Sequence, residues 1–446
     1  MIAYYSRLAL TGFRNAPGLT TLMIGTLALG ISACIVTLTL YDATSRNPIG
    51  WKSNRLYAVT MDSWDPKEPA NPTSPDLPPS QMVFKDAKYL SRSNIPSHYA
   101  VMFRTQDSVS GGTVDAKPLQ IATRVTSSGF FAMFDVPFLF GSAWNSAADD
   151  SAEPSIVLSK KLNSRLYGGS NSVGNTLRWN GHEFRVVGVL DDWFPLPKFY
   201  DLNRGAFDAG EDAYVPFGWA EALARFPNGG KVACWQNDPI DTFATFLQSD
   251  CVWLQMWVQL DDSSARERMR AMIEAYWTEQ HASGRFLRPR NNRLTDVKQW
   301  LIDQRVVQND NRLLVALAFA FLTVCVLNTV GLLLARFMKQ TRMIGVRRAL
   351  GATRGQIFLQ YLTESGLLAT AGALVGLGFG ALGLWGAHAI YARGSIGAGG
   401  YQELTRLDAM SVLWTLVLAV LAILGVGLFP AWRISRLPAA TYLKGG

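Results

Sequence analysis

The residues of this chain that could do chemistry are four histidines, four cysteines and three adjacent pairs of aspartates. His98, His182, His281 and His388 stand far apart, with no H-E-x-x-H or other metal-ligand spacing. Asp149-Asp150, Asp191-Asp192 and Asp261-Asp262 are sequence neighbours. Neighbours on a strand or loop point apart, so solvated turns fit them better than a shared acid–base pair. No G-x-x-x-x-G-K-[ST] loop is present to cradle a nucleotide phosphate. ATP hydrolysis is therefore not expected of this chain, and no catalytic, cofactor-binding or metal residue is assigned.

What remains is a basic segment: Thr341-Arg342-Met343-Ile344-Gly345-Val346-Arg347-Arg348-Ala349-Leu350-Gly351-Ala352-Thr353-Arg354-Gly355-Gln356-Ile357. A plain basic loop explains its cations. It does not explain Gly345 and Gly351 set within an amphipathic pattern of Ile344, Ala349, Leu350, Ile357 and Phe358. A docking helix for a cytoplasmic partner explains both.

The elements that must position this segment are apolar. Four runs, Leu19–Tyr41, Leu313–Ala335, Ser365–Ile390 and Ala409–Trp432, contain no Asp, Glu, Lys or Arg. Each reaches the roughly 20 residues that a helix needs to cross a bilayer core. The absence of intramembrane charge argues against a proton- or ion-coupled carrier. The first run reads as an uncleaved helix rather than a signal or lipoprotein segment, because it stays apolar for seven residues beyond Cys34.

The formal charge of +8 is concentrated beside these runs, at Arg7, Arg14, Arg336, Lys339, Arg342, Arg347, Arg348, Arg354, Arg433, Arg436 and Lys444. Glu364 is the lone acid among them, and the long insert is close to neutral. This is a positive-inside pattern rather than a nucleic-acid surface. It places both termini and the segment between runs two and three in the cytoplasm of a bacterial inner membrane, and the insert in the periplasm.

Cys34 and Cys325 lie in apolar runs and read as packing residues. Cys234 and Cys251 lie in the insert, in an oxidising compartment. A disulfide between them would close a loop of about 17 residues, worth about 3 kcal/mol on a chain-entropy argument. Two unpaired thiols are the alternative.

The fold class expected is an α+β membrane protein: four transmembrane helices with a large mixed α+β periplasmic domain between helices 1 and 2. Residues 1–18 form a cytoplasmic amphipathic helix and 19–41 the first span. The periplasmic domain is 42–311, large enough for two subdomains, and 312–337 is the second span. The coupling segment is 338–364, the third span 365–390, a periplasmic loop 391–408, the fourth span 409–432 and a cytoplasmic tail 433–446. Within the insert, strands are expected at Arg55–Met61, Tyr99–Arg104, Leu119–Val125, Ser155–Leu158, Thr176–Trp179, Glu183–Leu190, Ala213–Pro216 and Val252–Leu260. Helices are expected at Ser128–Phe134, Lys160–Tyr167 and Ser264–Gln280. Between Leu294 and Met338 there is no proline and only Gly331. One continuous helix is expected there, able to carry movement between insert and membrane. Gly372, Gly376 and Gly380 share one face of run three, which fits packing within the chain or against a second chain.

The basic segment resembles the coupling segment of MacB/FtsX-type ABC transporter permeases, close to R-E-I-G-[VI]-R-[RK]-A-[LI]-G-A. Three more stretches are similar to that family. They are Val125-Thr126-Ser127-Ser128-Gly129-Phe130-Phe131, the run from Pro154 through Tyr167-Gly168-Gly169 to Leu190, and Pro430-Ala431-Trp432-Arg433-Ile434-Ser435-Arg436-Leu437-Pro438-Ala439. The resemblance implies a cytoplasmic ABC ATPase dimer that holds the ATP and Mg, and a second permease chain, the same or a paralogue. A periplasmic adaptor and an outer-membrane channel are further implied partners. Arg342, Met343, Ile344, Gly345, Arg347, Arg348, Gly351, Ala352 and Arg354 would carry the coupling. Met343 stands where the family pattern has Glu, which fits a tailored partner or an asymmetric permease pair. Residues 193–252 depart from the pattern and read as partner- or substrate-specific surface. The function implied is a permease that converts ATP hydrolysis by its partner into periplasmic rearrangement, driving efflux or extraction. The alternatives are an FtsX-like mechanical signaller and a membrane-anchored receptor without an ATPase; the lack of a catalytic set disfavours a membrane-bound enzyme.

Overall fold

Short runs of β-branched and aromatic residues punctuated by Gly, Pro and Asn make the insert a sheet, and four long apolar runs make the rest helical. A computed structural model describes residues 2–45, 47–111, 117–224, 226–236, 240–306, 309–393 and 409–435. The chain opens with α1 (Ile2–Asn15) and α2 (Pro17–Ser45), then β1 (Leu56–Thr60), β2 (Met82–Val83), α3 (Phe84–Ser91), β3 (His98–Ser110), β4 (Leu119–Thr126) and α4 (Gly129–Met133). It continues through β5 (Phe138–Gly141), α5 (Ser146–Ser151), β6 (Ser155–Leu158), α6 (Lys160–Tyr167), β7 (Thr176–Trp179), β8 (His182–Leu190), β9 (Ala213–Pro216) and α7 (Trp219–Ala222). Next come α8 (Phe243–Gln248), β10 (Val252–Gln259), α9 (Ser263–Ala282), β11 (Arg293–Asp296) and α10 (Val297–Asp303). Four helices close it: α11 (Asn309–Lys339), α12 (Thr341–Ala349), α13 (Arg354–Arg393) and α14 (Ala409–Ser435).

These elements form two compact units, one of α1, α2 and α11–α14, the other holding the strands and α3–α10. In the second unit a single 11-stranded sheet runs in the order β11-β1-β10-β3-β4-β9-β6-β8-β5, with β2 on β10 and β7 bridging β3 and β8. Pairing is antiparallel except for β4–β9 and β6–β8. Alternation gives each face its own core. On β1, Tyr57 and Val59 enter one cluster with Val101, Phe103, Met256 and α9's Met269 and Ile273. Leu56 and Ala58 enter the other, with Met102, Phe130, Phe134, Trp257 and Trp300. The insert, expected to hold two subdomains, is thus organised on one sheet with two cores.

The expected continuous helix from Leu294 does not form. Leu294 lies in β11, which pairs with β1 (Tyr57 opposite Asp296, Thr60 opposite Arg293). The Asp296 side chain then caps α10 by accepting from the Gln299 amide at 2.9 Å. At its other end α10 closes in a Schellman turn. The Val306 amide donates to the Leu301 carbonyl, the Arg305 amide donates to Ile302, and Arg305 adopts φ 53°. A left-handed arginine leaves no glycine or proline in the sequence to mark the stop.

In the helical unit, Pro17 opens α2 at the first helical position, where its missing N–H is not needed. Met23, Leu27, Ile31 and Ile35 of α2 are buried with Leu322 and Leu333 of α11 and Leu368 and Ala373 of α13. The glycine face of α13 is spent within the chain. A Cβ at Gly372 would lie 2.8 Å from Leu27 and one at Gly376 2.9 Å from the Ala28 carbonyl, while one at Gly380 would lie 3.2 Å from Ile35. Among the described residues three segments are long and apolar enough to cross a membrane: Pro17–Thr39, Leu313–Lys339 and Arg354–Gly386. The third expected span lies inside α13, which begins at Arg354. The fourth expected run is helical as α14. Residues 394–408 of the expected loop and 436–446 of the expected tail lie outside the described residues.

Candidate coupling site

The basic segment folds as an elbow between α11 and α13. Gln340 ends the first helix and its carbonyl accepts from the Met343 and Ile344 amides, starting α12 at once. Gly351 ends α12 at φ 98°, with its amide donating to Arg348 and the Ala352 amide to Arg347, a second Schellman turn. Two residues later Thr353 and Gln356 cap each other: the Thr353 amide donates to Gln356 Oε1 at 3.0 Å and the Gln356 amide to Thr353 Oγ1 at 3.3 Å. Ile344 and Ile357 are buried in the helical cluster beside Phe337 and Tyr361. Arg347 Nη1 donates to Gln360 Oε1 at 2.6 Å, tying α12 to α13. Every turn of the elbow is closed by a specific bond, so it is a rigid shape rather than a loop.

The residues singled out from the sequence divide by this geometry. Ile344 is an anchor, Gly351 and Ala352 form the turn, and Arg347 is a half-buried tie. Met343 is 61 % exposed, and on the same face Val346 and Leu350 are 48 % and 83 % exposed. Arg348 is half-buried and Arg354 exposed in the first turn of α13. A Cβ at Gly345 would meet nothing within 4 Å. The side chain of Arg342 lies outside the described residues.

Sequence reasoning missed the node beneath the elbow. Arg336, near the end of α11, faces Glu364 of α13 at 3.1 Å, with side-chain exposures of 6 % and 7 %. Arg336 also donates to Thr20 Oγ1 of α2 at 3.3 Å and lies over the Phe13 ring of α1. A Cβ at Gly12 would lie 3.0 Å from its guanidinium. Beside the node, α1 and the elbow enclose a cavity of about 270 Å³ lined by Leu8, Thr11, Gln340, Met343, Arg347 and Tyr361 among others. The signal was Glu364 itself, a lone acid in a cationic flank.

In the sheet unit, residues 193–252, read as a specific surface, also supply part of a buried ionic network. Arg124 pairs with Glu211 and, at 2.8 Å, with Asp201, while Lys198 pairs with Glu211 at 2.7 Å. Tyr200 donates to Glu211 Oε2 at 2.9 Å. Burial pushes the Glu211 carboxyl up, but Arg124 and Lys198 outweigh it and hold it well below the usual carboxylate range.

Asp149 is no solvated turn either. It is buried, accepting from Trp144 Nε1 and the Ser128 amide at 2.7 Å each, because it organises the start of α4. Asp191 and Asp192 converge on Lys160 at 2.9 and 2.8 Å on the surface. Asp262 caps α9 through the Ala265 amide. Cys234 and Cys251 form a disulfide, flanked by a two-way backbone bridge between Ala233 and Val252. Among the described residues no group of three His, Cys, Asp or Glu is placed to hold a metal ion.

Two family models match the chain in succession. The MacB-like periplasmic core domain covers residues 20–276, more than half of the chain, and the FtsX-like permease C-terminal domain covers residues 315–439. The chain is 24 % identical over 343 residues to a macrolide export ATP-binding/permease protein MacB of Nitrobacter winogradskyi, covering 75 % of this chain and 45 % of that protein. It is 25 % identical over 230 residues to an uncharacterised ABC transporter permease, YknZ, of Bacillus subtilis, covering 50 % of this chain and 47 % of that one. It therefore spans less than half the length of either relative. Among solved structures, the periplasmic region of MacB from Actinobacillus actinomycetemcomitans aligns with a TM-score of 0.36 at 12 % identity, covering 58 % of this chain and 96 % of that one. With a core-domain match over most of the sheet unit and a permease match over the elbow and its flanking helices, the chain belongs to the MacB/FtsX family of ABC transporter permeases.

Proposed function

We propose that this chain is the membrane subunit of a MacB-type ABC system, in which a separate cytoplasmic ATPase dimer binds ATP and Mg and drives rearrangement of the periplasmic unit. The observation that carries this reading is the elbow. It is a rigid cationic corner with an exposed apolar stripe, set between two helices long and apolar enough to cross a membrane. Charge distribution supports an inner-membrane orientation with the elbow and both termini in the cytoplasm. In this reading α14 completes four spans, and a second permease chain completes the assembly.

The route outward is not a rigid rod, since α10 and β11 interrupt it. The chain leaves α2 into β1 and returns to α11 from β11 through α10, and β1 and β11 are hydrogen-bonded neighbours. Both tethers therefore converge on one edge of one sheet. A change in spacing between α2 and α11 would reach the periplasmic unit as shear between those strands. Work on a substrate, as efflux or extraction, or on a periplasmic adaptor linked to an outer-membrane channel would follow from that shear.

The test is purification of the full chain from its native membrane in mild detergent, with mass spectrometry of the proteins retained. An ATPase with a second permease supports a heteromeric complex, and an ATPase with this chain alone supports a homodimer. Retention of no ATPase would end the transporter reading and favour a receptor.

A further inference from the structure

We infer that the partner surface seated on the elbow is apolar at its centre and acidic at its rim. This rests on the permease reading above and specifies its partner. Met343, Val346 and Leu350 recur at the spacing that puts them on one helix face, and all three are exposed. Ile344 points the other way, into the helical cluster. Met343 also lines the cavity beside α1, so the stripe continues into a recess of about 270 Å³ that could receive a side chain.

The charge around the stripe has one sign. No Asp or Glu occurs between Phe337 and Thr363, and the next acid, Glu364, is already committed to Arg336. Arg354 stands in the first turn of α13, where the helix dipole disfavours a cation. A carboxylate from a partner would relieve that mismatch. Met343 offers no carboxylate, so a partner cleft presenting a cation there would find nothing to pair with. A complementary cleft presents apolar side chains to Met343 and Leu350 and a carboxylate to Arg354 at the rim.

A lipid surface is the competing occupant. α12 has only nine residues and a three-residue stripe, short for a helix lying in an interface. Its C-terminus is closed at Gly351, and the Thr353–Gln356 caps start α13 directly after it, a pre-organisation that benefits a fitted protein contact.

The experiment uses the full chain in nanodiscs with the ATPase subunit that co-purifies with it. Met343→Glu should weaken ATPase retention at least about tenfold, as expected for a carboxylate desolvated among apolar and acidic groups. Met343→Leu keeps an apolar contact and should retain the ATPase better than Met343→Glu, and matching thermal unfolding of the three chains shows that the exposed substitution does not unfold the elbow. A photoreactive phenylalanine analogue in place of Leu350 should cross-link to the ATPase. Equal or tighter retention by Met343→Glu, or cross-links to lipid alone in a complex that holds its ATPase, would overturn the inference while leaving the permease reading intact. A wild-type chain that holds no ATPase would overturn both.

Discussion

Arg336 and Glu364 meet at 3.1 Å where α11 and α13 flank the elbow, both nearly sealed from solvent. Gly12, Phe13 and Thr20 close over the arginine, so four helices meet at one ion pair. The Arg336 Nη2 and Glu364 Oε1 atoms make no aligned hydrogen bond, so the pair is held by charge and enclosure.

Removing one partner should be far worse than removing both. Glu364→Ala strands a buried guanidinium and should cost about 3 kcal/mol or more. The double variant Arg336→Met with Glu364→Leu should recover most of that. Thermal unfolding of the full chain in detergent measures both. Equal melting of the single variant and the wild type would show that the pair is hydrated and idle. Gly12→Leu should mimic the single variant, since its side chain would enter the guanidinium's space.

The two glycines of the elbow should behave oppositely. Gly351 holds φ 98°, so Gly351→Ala should destabilise the turn by about 1 kcal/mol, and Gly351→Val by more. Gly345 lies within α12 and a Cβ there meets nothing, so Gly345→Ala should stabilise the helix by up to about 1 kcal/mol. ATPase retention separates their roles. Gly351→Ala should lower it by misaiming Leu350, whereas Gly345, buried in the folded chain, should take alanine with retention unchanged.

These contrasts show what the sequence could convey. Strands at Ser155–Leu158, Thr176–Trp179 and Ala213–Pro216 and the helix Lys160–Tyr167 have the expected bounds, because turn residues flank each run. The segment reads as one docking helix, and the break within it is marked by Gly351, whose left-handed turn is a backbone requirement with one common residue type. The end of α10 was not legible, because the same turn there is made by Arg305. Buried charge was also hidden. Arg124, Lys198 and Glu211 come together from β4 and the chain before β9, and nothing local marks a charged residue as buried. The cationic flanks concealed Arg347's internal tie to Gln360 for the same reason.

The Arg124–Glu211–Lys198 network sets an acid limit on the sheet unit. Burial raises the Glu211 carboxyl, but the two cations hold it well below its unfolded value of about 4.3. A carboxyl depressed on folding adds stability that is complete above its unfolded pKa and is lost as pH falls from there toward the folded value. The melting temperature of the full chain should therefore hold from pH 7 to about 5 and decline below about 4.5. Glu211→Gln should lower it at pH 7 by the equivalent of about 3 kcal/mol and flatten the acid decline. An unchanged slope would assign the acid sensitivity to other carboxylates.

The pairing of β1 with β11 makes the proposed shear directly testable. Ala58 lies opposite Thr295 in that ladder, with one tether to the helical unit leaving each strand. Ala58→Cys with Thr295→Cys, in a chain carrying Cys234→Ser and Cys251→Ser, places a bridge that can be closed by oxidation and opened by reductant. If shear at this edge is the output step, closing the bridge should leave ATPase retention unchanged. It should slow ATP turnover by the complex about tenfold, a coupling of about 1.4 kcal/mol, and reductant should restore it. Turnover that is indifferent to the lock would mean that β1 and β11 move together, leaving α10 and the turn at Arg305 as the hinge. Replacing Arg305 then separates the two cases. Arg305→Gly relieves a left-handed non-glycine residue while freeing that turn, and it should alter turnover only if the hinge lies there.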